Sequence, residues 1–284
     1  MKSRLVFVLS TGLLAVSTSS ILARMIPEVP AVTISFWRLA IASCVLWGYS
    51  SFKPQREMNP SDRNLSRLAG LFLGLHFICF FGALKYTSVA NATLLATTAP
   101  FFTVIFERLV LKRKWNRNII GGLLLALLGL IIIQGNSAAD FTENRVGNLL
   151  ALLSSIWMAI VMLLSEQVRK KTGVINYTRM MYLTASLVLL ALSTTMRIPL
   201  QPPETSAYLW LALLGIVPTV FGHTLFYYSV KYIRPTIVSA VPLGEPVLAS
   251  GMAFFFFREI LSLPVILGGI ITLTGIYILV TKHS

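Results

Sequence analysis

The sequence predicts an all-α integral membrane protein with ten transmembrane helices in two inverted five-helix repeats. Three observations carry that expectation. Of 284 residues, 56% are hydrophobic and 12% charged, with a mean hydropathy of +0.77, whereas soluble domains run about 45–50% apolar and about 25% charged. Apolar stretches near the bilayer-crossing length of about 20 residues recur along the whole chain. The second half also repeats landmark residues of the first at a fixed offset.

The expected spans are 4–24, 31–50, 65–84, 87–110, 117–135, 146–166, 175–196, 207–229, 233–256 and 263–281. The first follows Lys2 and Arg4 and ends in small residues, as a secretory signal would. It is longer than an ordinary signal core of about 7–15 residues, and it has a counterpart later in the chain, so it is read as a retained helix. The second span carries Arg38 and the third His76. The connection between the second and third, Ser51 to Asn64, is the longest and is too short for a soluble domain. The fourth span contains Pro100, and the fifth carries Gly121, Gly122 and Gly129, which read as a close-packing seam. The seventh carries Arg179, the eighth His223 and the ninth Glu245. The tenth returns to glycine with Gly268, Gly269 and Gly275.

At an offset of 146, Lys85 and Tyr86 fall on Lys231 and Tyr232, Pro100 on Pro246, Gly122 on Gly268 and Gly129 on Gly275. The second span matches the seventh at an offset of 141, where Ile34 to Arg38 falls on Ile175 to Arg179. The chain therefore divides into a first repeat over 1–137 and a second over 138–284. Five crossings per copy force the second copy to enter the membrane from the opposite face, which is the inverted design of many secondary transporters.

The formal charge of +14 looks like a nucleic-acid footprint until it is mapped onto the loops. Sixteen basic residues, from Lys2 through Arg113 and Lys171 to Lys282, fall on the side of the chain ends; five, including Arg24 and Arg258, fall on the other. That asymmetry places both termini in the cytoplasm and the chain in the inner membrane, with the lipid bilayer rather than nucleic acid as its partner. Cys44 and Cys79 lie within spans, and no Cys/His cluster has zinc-ligand spacing, so no metal and no cofactor are expected.

Charged side chains in a bilayer core cost about 2.5–3.5 kcal/mol on insertion scales and usually face a cavity or a partner. Arg38, His76, Arg179, His223 and Glu245 are accordingly the candidate substrate-binding or coupling residues. Arg38 and Arg179 are repeat mates, and the two histidines are mates to within one residue. Pro100, Gly244 and Pro246 are expected to break their helices, which would leave carbonyls exposed beside Glu245. Permanent pairing of Glu245 with an arginine, and histidines that merely join packed helices, are the structural alternatives. Glu107, beside Arg108 and near Lys112, reads as an interfacial ion pair.

Several stretches together resemble the EamA domains of the drug/metabolite transporter superfamily: SFWRLAIA (Ser35 to Ala42), Gly74 to Phe106 and Gly121 to Ile133 in the first half, and FGHTLFYYSVKY (Phe221 to Tyr232), VPLGEPVLASGMAFFFFRE (Val241 to Glu259) and Leu267 to Val280 in the second. The resemblance implies a central cavity between the repeats that moves small organic molecules, commonly outward; relatives handle amino acids, sugars, nucleotide-linked compounds and drugs. It also implies an acidic residue after the fourth and ninth spans. Glu259 matches, whereas Arg113 holds the equivalent place in the first half. In relatives with the GHT stretch an asparagine often follows three residues later, where this chain has Phe226 and Tyr227.

The expected function is a non-enzymatic secondary transporter, an exporter of an amino-acid-like or drug-like metabolite working by alternating access, with protons as the candidate coupling ion. A translocase of a lipid or lipid-linked intermediate is the alternative. No GxSxG elbow, HExxH pair or phosphate-binding loop supports an enzyme, and no ring of like charges supports a channel.

Overall fold

A computed structural model describes residues 2–135 and 144–281. The expected boundary between the repeats, at 137/138, and Lys282 lie outside the described residues. The ten crossings are α1 (Lys2–Ala23), α2 (Ala31–Phe52), α3 (Pro60–Tyr86), α4 (Val89–Ala96 and Ala99–Leu109), α5 (Arg117–Gln134), α6 (Arg145–Arg169), α7 (Val174–Thr195), α8 (Ala207–Ser229), α9 (Pro235–Phe257) and α10 (Leu263–Thr281). Among the described residues, nine are continuous helices long and apolar enough to cross a membrane. The tenth crossing, α4, is split into two segments, so neither piece reaches that length alone.

Local chemistry sets the ends. The Asn59 side chain accepts from Asp62 N at 2.7 Å, and Pro60 opens the helix without needing an N–H partner, so α3 starts a turn before its apolar stretch. Asn116 caps α5 in the same way. Along α1, Leu5, Leu9, Leu13 and Val16 are buried at helical spacing while Phe7 and Leu14 are exposed. A helix apolar on all sides thus turns one face to protein and leaves the other to lipid.

The helices that meet across the seam form a symmetric set: α2 with α7, α4 with α9, α5 with α10, and the reciprocal pairs α1 with α8 and α3 with α6. The α5/α10 contact displays the pseudo-twofold relation residue by residue. A Cβ on Gly129 would lie 2.4 Å from Gly268 O, and one on Gly275 would lie 2.6 Å from Gly122 O. These two contacts exchange under the 146-residue offset. Midway between them, Thr272 Oγ1 donates to Ala126 O at 3.3 Å, and those two residues are themselves mates. Only residues without a side chain let two backbones approach this closely.

Three crossings are irregular near their middles. In α4, the helix is interrupted at Thr97 and Thr98 and restarts with Pro100 in its first turn. In α9, a 3₁₀ turn over Val241–Gly244 separates Pro235–Ala240 from Glu245–Phe257, so the VPLGEP stretch is a tightened joint, with Glu245 opening the second segment. In α8, Pro218 sits inside a π-helical stretch, Gly215–His223, where Thr219 and Thr224 donate to carbonyls five residues back at 2.9 and 3.2 Å. Proline deletes a ladder hydrogen bond, and hydroxyl groups re-satisfy the freed carbonyls.

Candidate functional site

The irregular joints surround a cavity of about 450 Å³ between the two repeats. Arg38 from α2, His76 from α3, His223 from α8 and Glu245 from α9 all line it, together with Pro246. Its apolar wall includes Phe77, Phe80, Phe226, Met158 and Met162.

Arg38 Nε donates to Thr219 Oγ1 at 2.9 Å, and Thr219 in turn donates to Leu214 O. The π-helical stretch therefore aims a hydroxyl at the guanidinium. The terminal nitrogens of Arg38 make no hydrogen bond to any described residue. Tyr182 OH lies 3.2 Å from Thr224 Oγ1 beside this group. Glu245 has neither a hydrogen bond nor an ion-pair partner within 4.0 Å among the described residues, although its charge interacts with that of Arg38. His76 Nδ1 is 2.9 Å from Ser154 O and 3.0 Å from Ser154 Oγ, and its ring stacks on Phe80. His223 packs edge-on against Phe226. The cavity thus holds a guanidinium and a carboxyl group that lie beyond ion-pair distance of each other and of the other described residues.

Arg179 lies elsewhere. Its guanidinium covers the Trp47 ring at 4.1 Å on the α2/α7 flank, and its Nε has no partner. Arg38, the repeat mate, has no such platform, because the mate of Trp47 is Val188, whose side chain fills the space beside Gly74. Gly244 is buried against Leu13 and Ile276 rather than facing the cavity, and Pro100 stands just beyond Ala99, which does line it. Sequence reasoning missed Thr219, Tyr182 and Tyr227, all cavity-lining. Pro218 within an apolar span was the available signal for the first.

The two ends of the cavity differ. On the face of the chain ends, the second segment of α4 packs against the first segment of α9. There Glu107, buried, accepts from Thr236 N at 3.0 Å, and Ser239 Oγ lies 3.5 Å from Thr103 Oγ1. Arg113 bridges Glu107 at 3.6 Å and Glu166 at 2.5 Å. Glu107 thus pairs with Arg113, and not with its sequence neighbours Arg108 and Lys112. On the opposite face, the mates of the packed segments make no comparable contact. Instead a vestibule of about 320 Å³ shares Ser20, Pro246 and Ala249 with the central cavity, and Arg24 and Glu259 line it, bridged at 2.5 Å. Arg258, at φ 56°, ends α9 in the left-handed region just before Glu259.

These bridges are themselves related by the repeat. Glu259 is the mate of Arg113, and Arg24 falls within one residue of the mate of Glu166, so the same connection is made on each face with its charges reversed.

The sequence matches the EamA-like transporter family over residues 3–135 and again over 145–281. The chain belongs to that family. It is 29% identical to an uncharacterized transporter of Archaeoglobus fulgidus over 78% of each chain, and 27% identical to the uncharacterized transporter YdfC of Bacillus subtilis over 88% of this chain and 83% of that one. It is also 24% identical to the pseudopaline exporter CntI of Pseudomonas aeruginosa, over 92% of this chain and 91% of that one. A protein of known crystal structure, 19% identical, superposes with a TM-score of 0.83 over 100% of this chain and 99% of its own, which shows the fold. The EamA-like chain is therefore a multi-pass membrane transporter of the drug/metabolite superfamily.

Proposed function

We propose that this transporter exports a small amino-acid-like or drug-like metabolite across the inner membrane by alternating access, with both termini cytoplasmic. The observation that carries the reading is the cavity at the seam of the repeats, packed shut towards the chain ends and sharing Ser20, Pro246 and Ala249 as lining with a vestibule on the other face. In this state the cargo site faces outward. Repacking α4 against α9 on the opposite face, with the Glu107–Arg113–Glu166 cluster opened, generates the inward-facing state, because the two faces are related by the inverted repeat. The reversed ion pairs each tie the end of α1 or α6 to the loop that follows α9 or α4, and both are closed in this state.

Glu245 is the coupling group in this proposal. A carboxylate without an internal partner carries a proton or a cationic group of the cargo, and that difference biases one state over the other. The titratable or charged groups that share the cavity with it are Arg38, His76, His223, Tyr182 and Tyr227. The pseudopaline exporter among the relatives supports the outward direction.

The test begins with a thermal-shift screen of purified protein against amino acids, nucleosides, sugars and drugs, since a ligand of the folded state raises Tm by mass action. Hits are then followed in proteoliposomes. Acidifying the side that receives cargo is expected to accelerate flux in the wild type, and Glu245→Gln is expected to abolish that acceleration while leaving membrane insertion and folding intact. Undiminished proton-driven flux in the variant removes Glu245 from coupling, and binding without flux removes transport itself.

A further inference from the structure

One charge within the spans is left over by the cavity. Arg179 does not line it, and among the described residues no carboxylate lies within 4.0 Å of its guanidinium and no oxygen accepts from it. Only the ring of Trp47 covers it, at 4.1 Å. The two residues stand at one level: Arg179 is five residues after Val174, where α7 starts, and Trp47 five before Phe52, where α2 ends. At about 1.5 Å per residue, that is about 7.5 Å inside the helix ends on the face of the chain ends. The flank they share is open to lipid. Trp47 is 39% exposed, Cys44 is exposed one turn deeper on α2, and Leu183 and Leu187 are exposed one and two turns deeper on α7. A Cβ on Gly48, beside Trp47, would meet nothing within 4 Å. Towards the surface, the loop after α2 carries the exposed Lys53 and Arg56 and is fixed to the start of α7, where Asn176 Nδ2 donates to Arg56 O at 2.5 Å. Lys171, also exposed, precedes α7, and Glu57 is the one acid of the loop.

We propose that Arg179 and Trp47 form a binding site for the headgroup phosphate of an anionic phospholipid, in the leaflet on the face of the chain ends. A cation within a span is costly unless an anion or water meets it, and the protein supplies no anion here. From about 7.5 Å inside the helix ends, an arginine side chain reaches the headgroup level, where phosphate is the abundant anion. Stacking on the Trp47 ring occupies the face of the guanidinium and leaves its in-plane N–H groups for two phosphate oxygens. An acyl chain then runs inward over Gly48, Cys44, Leu183 and Leu187. Lys53, Arg56 and Lys171, against the single Glu57, favour a headgroup of net negative charge over a zwitterionic one. Ser43 Oγ donates to Arg179 O at 3.0 Å, so the lipid is held where α2 of one repeat meets α7 of the other. The site is separate from the cavity, and the inference stands independently of what the cavity carries.

The test uses the purified full chain in a neutral detergent, titrated with phosphatidylglycerol, with phosphatidylcholine of the same acyl chains and with inorganic phosphate, and read by thermal unfolding. Phosphatidylglycerol is expected to raise Tm at a concentration at least about fivefold lower than phosphatidylcholine does, and inorganic phosphate to leave Tm unchanged. Arg179→Gln is expected to erase the preference between the lipids. Arg117→Gln, at an exposed basic residue on the same face, is expected to keep it. A second measurement needs no variant at Arg179. Lipids with brominated acyl chains quench nearby indoles, and the part due to Trp47 is the difference between the wild type and Trp47→Phe. Brominated phosphatidylglycerol is expected to quench that part at a mole fraction at least about fivefold lower than brominated phosphatidylcholine does. Equal potency of the two lipids in either measurement on the wild type overturns the proposal, as does a preference that survives in Arg179→Gln. A loss in Arg117→Gln as large as in Arg179→Gln means diffuse surface charge, and protection by inorganic phosphate means a site for free anions; each overturns it as well.

Discussion

Arg38 and Arg179 occupy equivalent places in the two repeats, and their surroundings give them different work. The first faces the cavity and is held by Thr219; the second rests on Trp47 at the flank. Replacing Arg38 with alanine is therefore expected to abolish cargo binding. Arg179→Ala is expected to leave affinity within about threefold and to lower stability by about 0.5–2 kcal/mol, the worth of a partly buried cation–π contact. Calorimetric titration and thermal unfolding check both; equal losses of affinity would contradict the assignment. Thr219→Val keeps shape and removes the hydroxyl that orients Arg38, and should cost about 1–2 kcal/mol in binding with a smaller loss in stability. Ionisable residues at bilayer depth were legible from the sequence, because their transfer cost makes each one conspicuous. Which of two mates faces the cavity was not legible, since it depends on Trp47 and Val188 filling equivalent places with and without an aromatic ring.

Among the elements, α5 and α10 form the rigid seam while α4, α8 and α9 carry the irregular joints. Gly129→Val would push side-chain carbon into Gly268 O, and is expected to destabilise the protein by about 1–3 kcal/mol, seen as a lower Tm in detergent. Gly121, whose Cβ would meet nothing within 4 Å, is expected to accept alanine without loss and serves as the control. The reversed ion pairs make a sharper prediction. Arg24 and Glu259 are half-exposed, at 51% and 50%, whereas Glu107 and Glu166 are 2% and 10% exposed in their side chains. Swapping charges as Arg24→Glu with Glu259→Arg should restore the transport that either single change impairs, by up to about 1 kcal/mol. Glu166→Gln, which removes the nearer of the two carboxylates on Arg113 while Glu107 still balances the guanidinium, should loosen the face of the chain ends and cost about 1–3 kcal/mol. Spans and breaks were readable because proline, glycine and apolar length act locally. The split of α4 falls at Thr97 and Thr98, just before the Pro100 that announced a break, whereas the π-helical course of α8 had only Pro218 to announce it. The partners of Glu107 were hidden because Thr236 and Arg113 reach it through packing between repeats, which no local pattern encodes.

At the scale of the molecule, two upside-down copies enclose one cavity, and the contacts between them are symmetric at the seam and unsymmetric at the two faces. In the alternating access proposed above, that packing would be made on either face in turn; in this structure it is made on one. The duplication and its inversion followed from the repeat offset and the odd number of spans, whereas the face left open is a property of packing alone. The most direct measurement places single cysteines at Ser250, in the vestibule, and at Ser239, on the shut side of the cavity, in a chain whose Cys44 and Cys79 are replaced by alanine. Each is then labelled with a membrane-impermeant maleimide applied from either face. Ser250Cys should react from the face opposite the chain ends while Ser239Cys is protected, and conditions that reverse the gradient should exchange the two reactivities. Simultaneous labelling of both positions, each from its own face, would mean an open pore and would contradict the account.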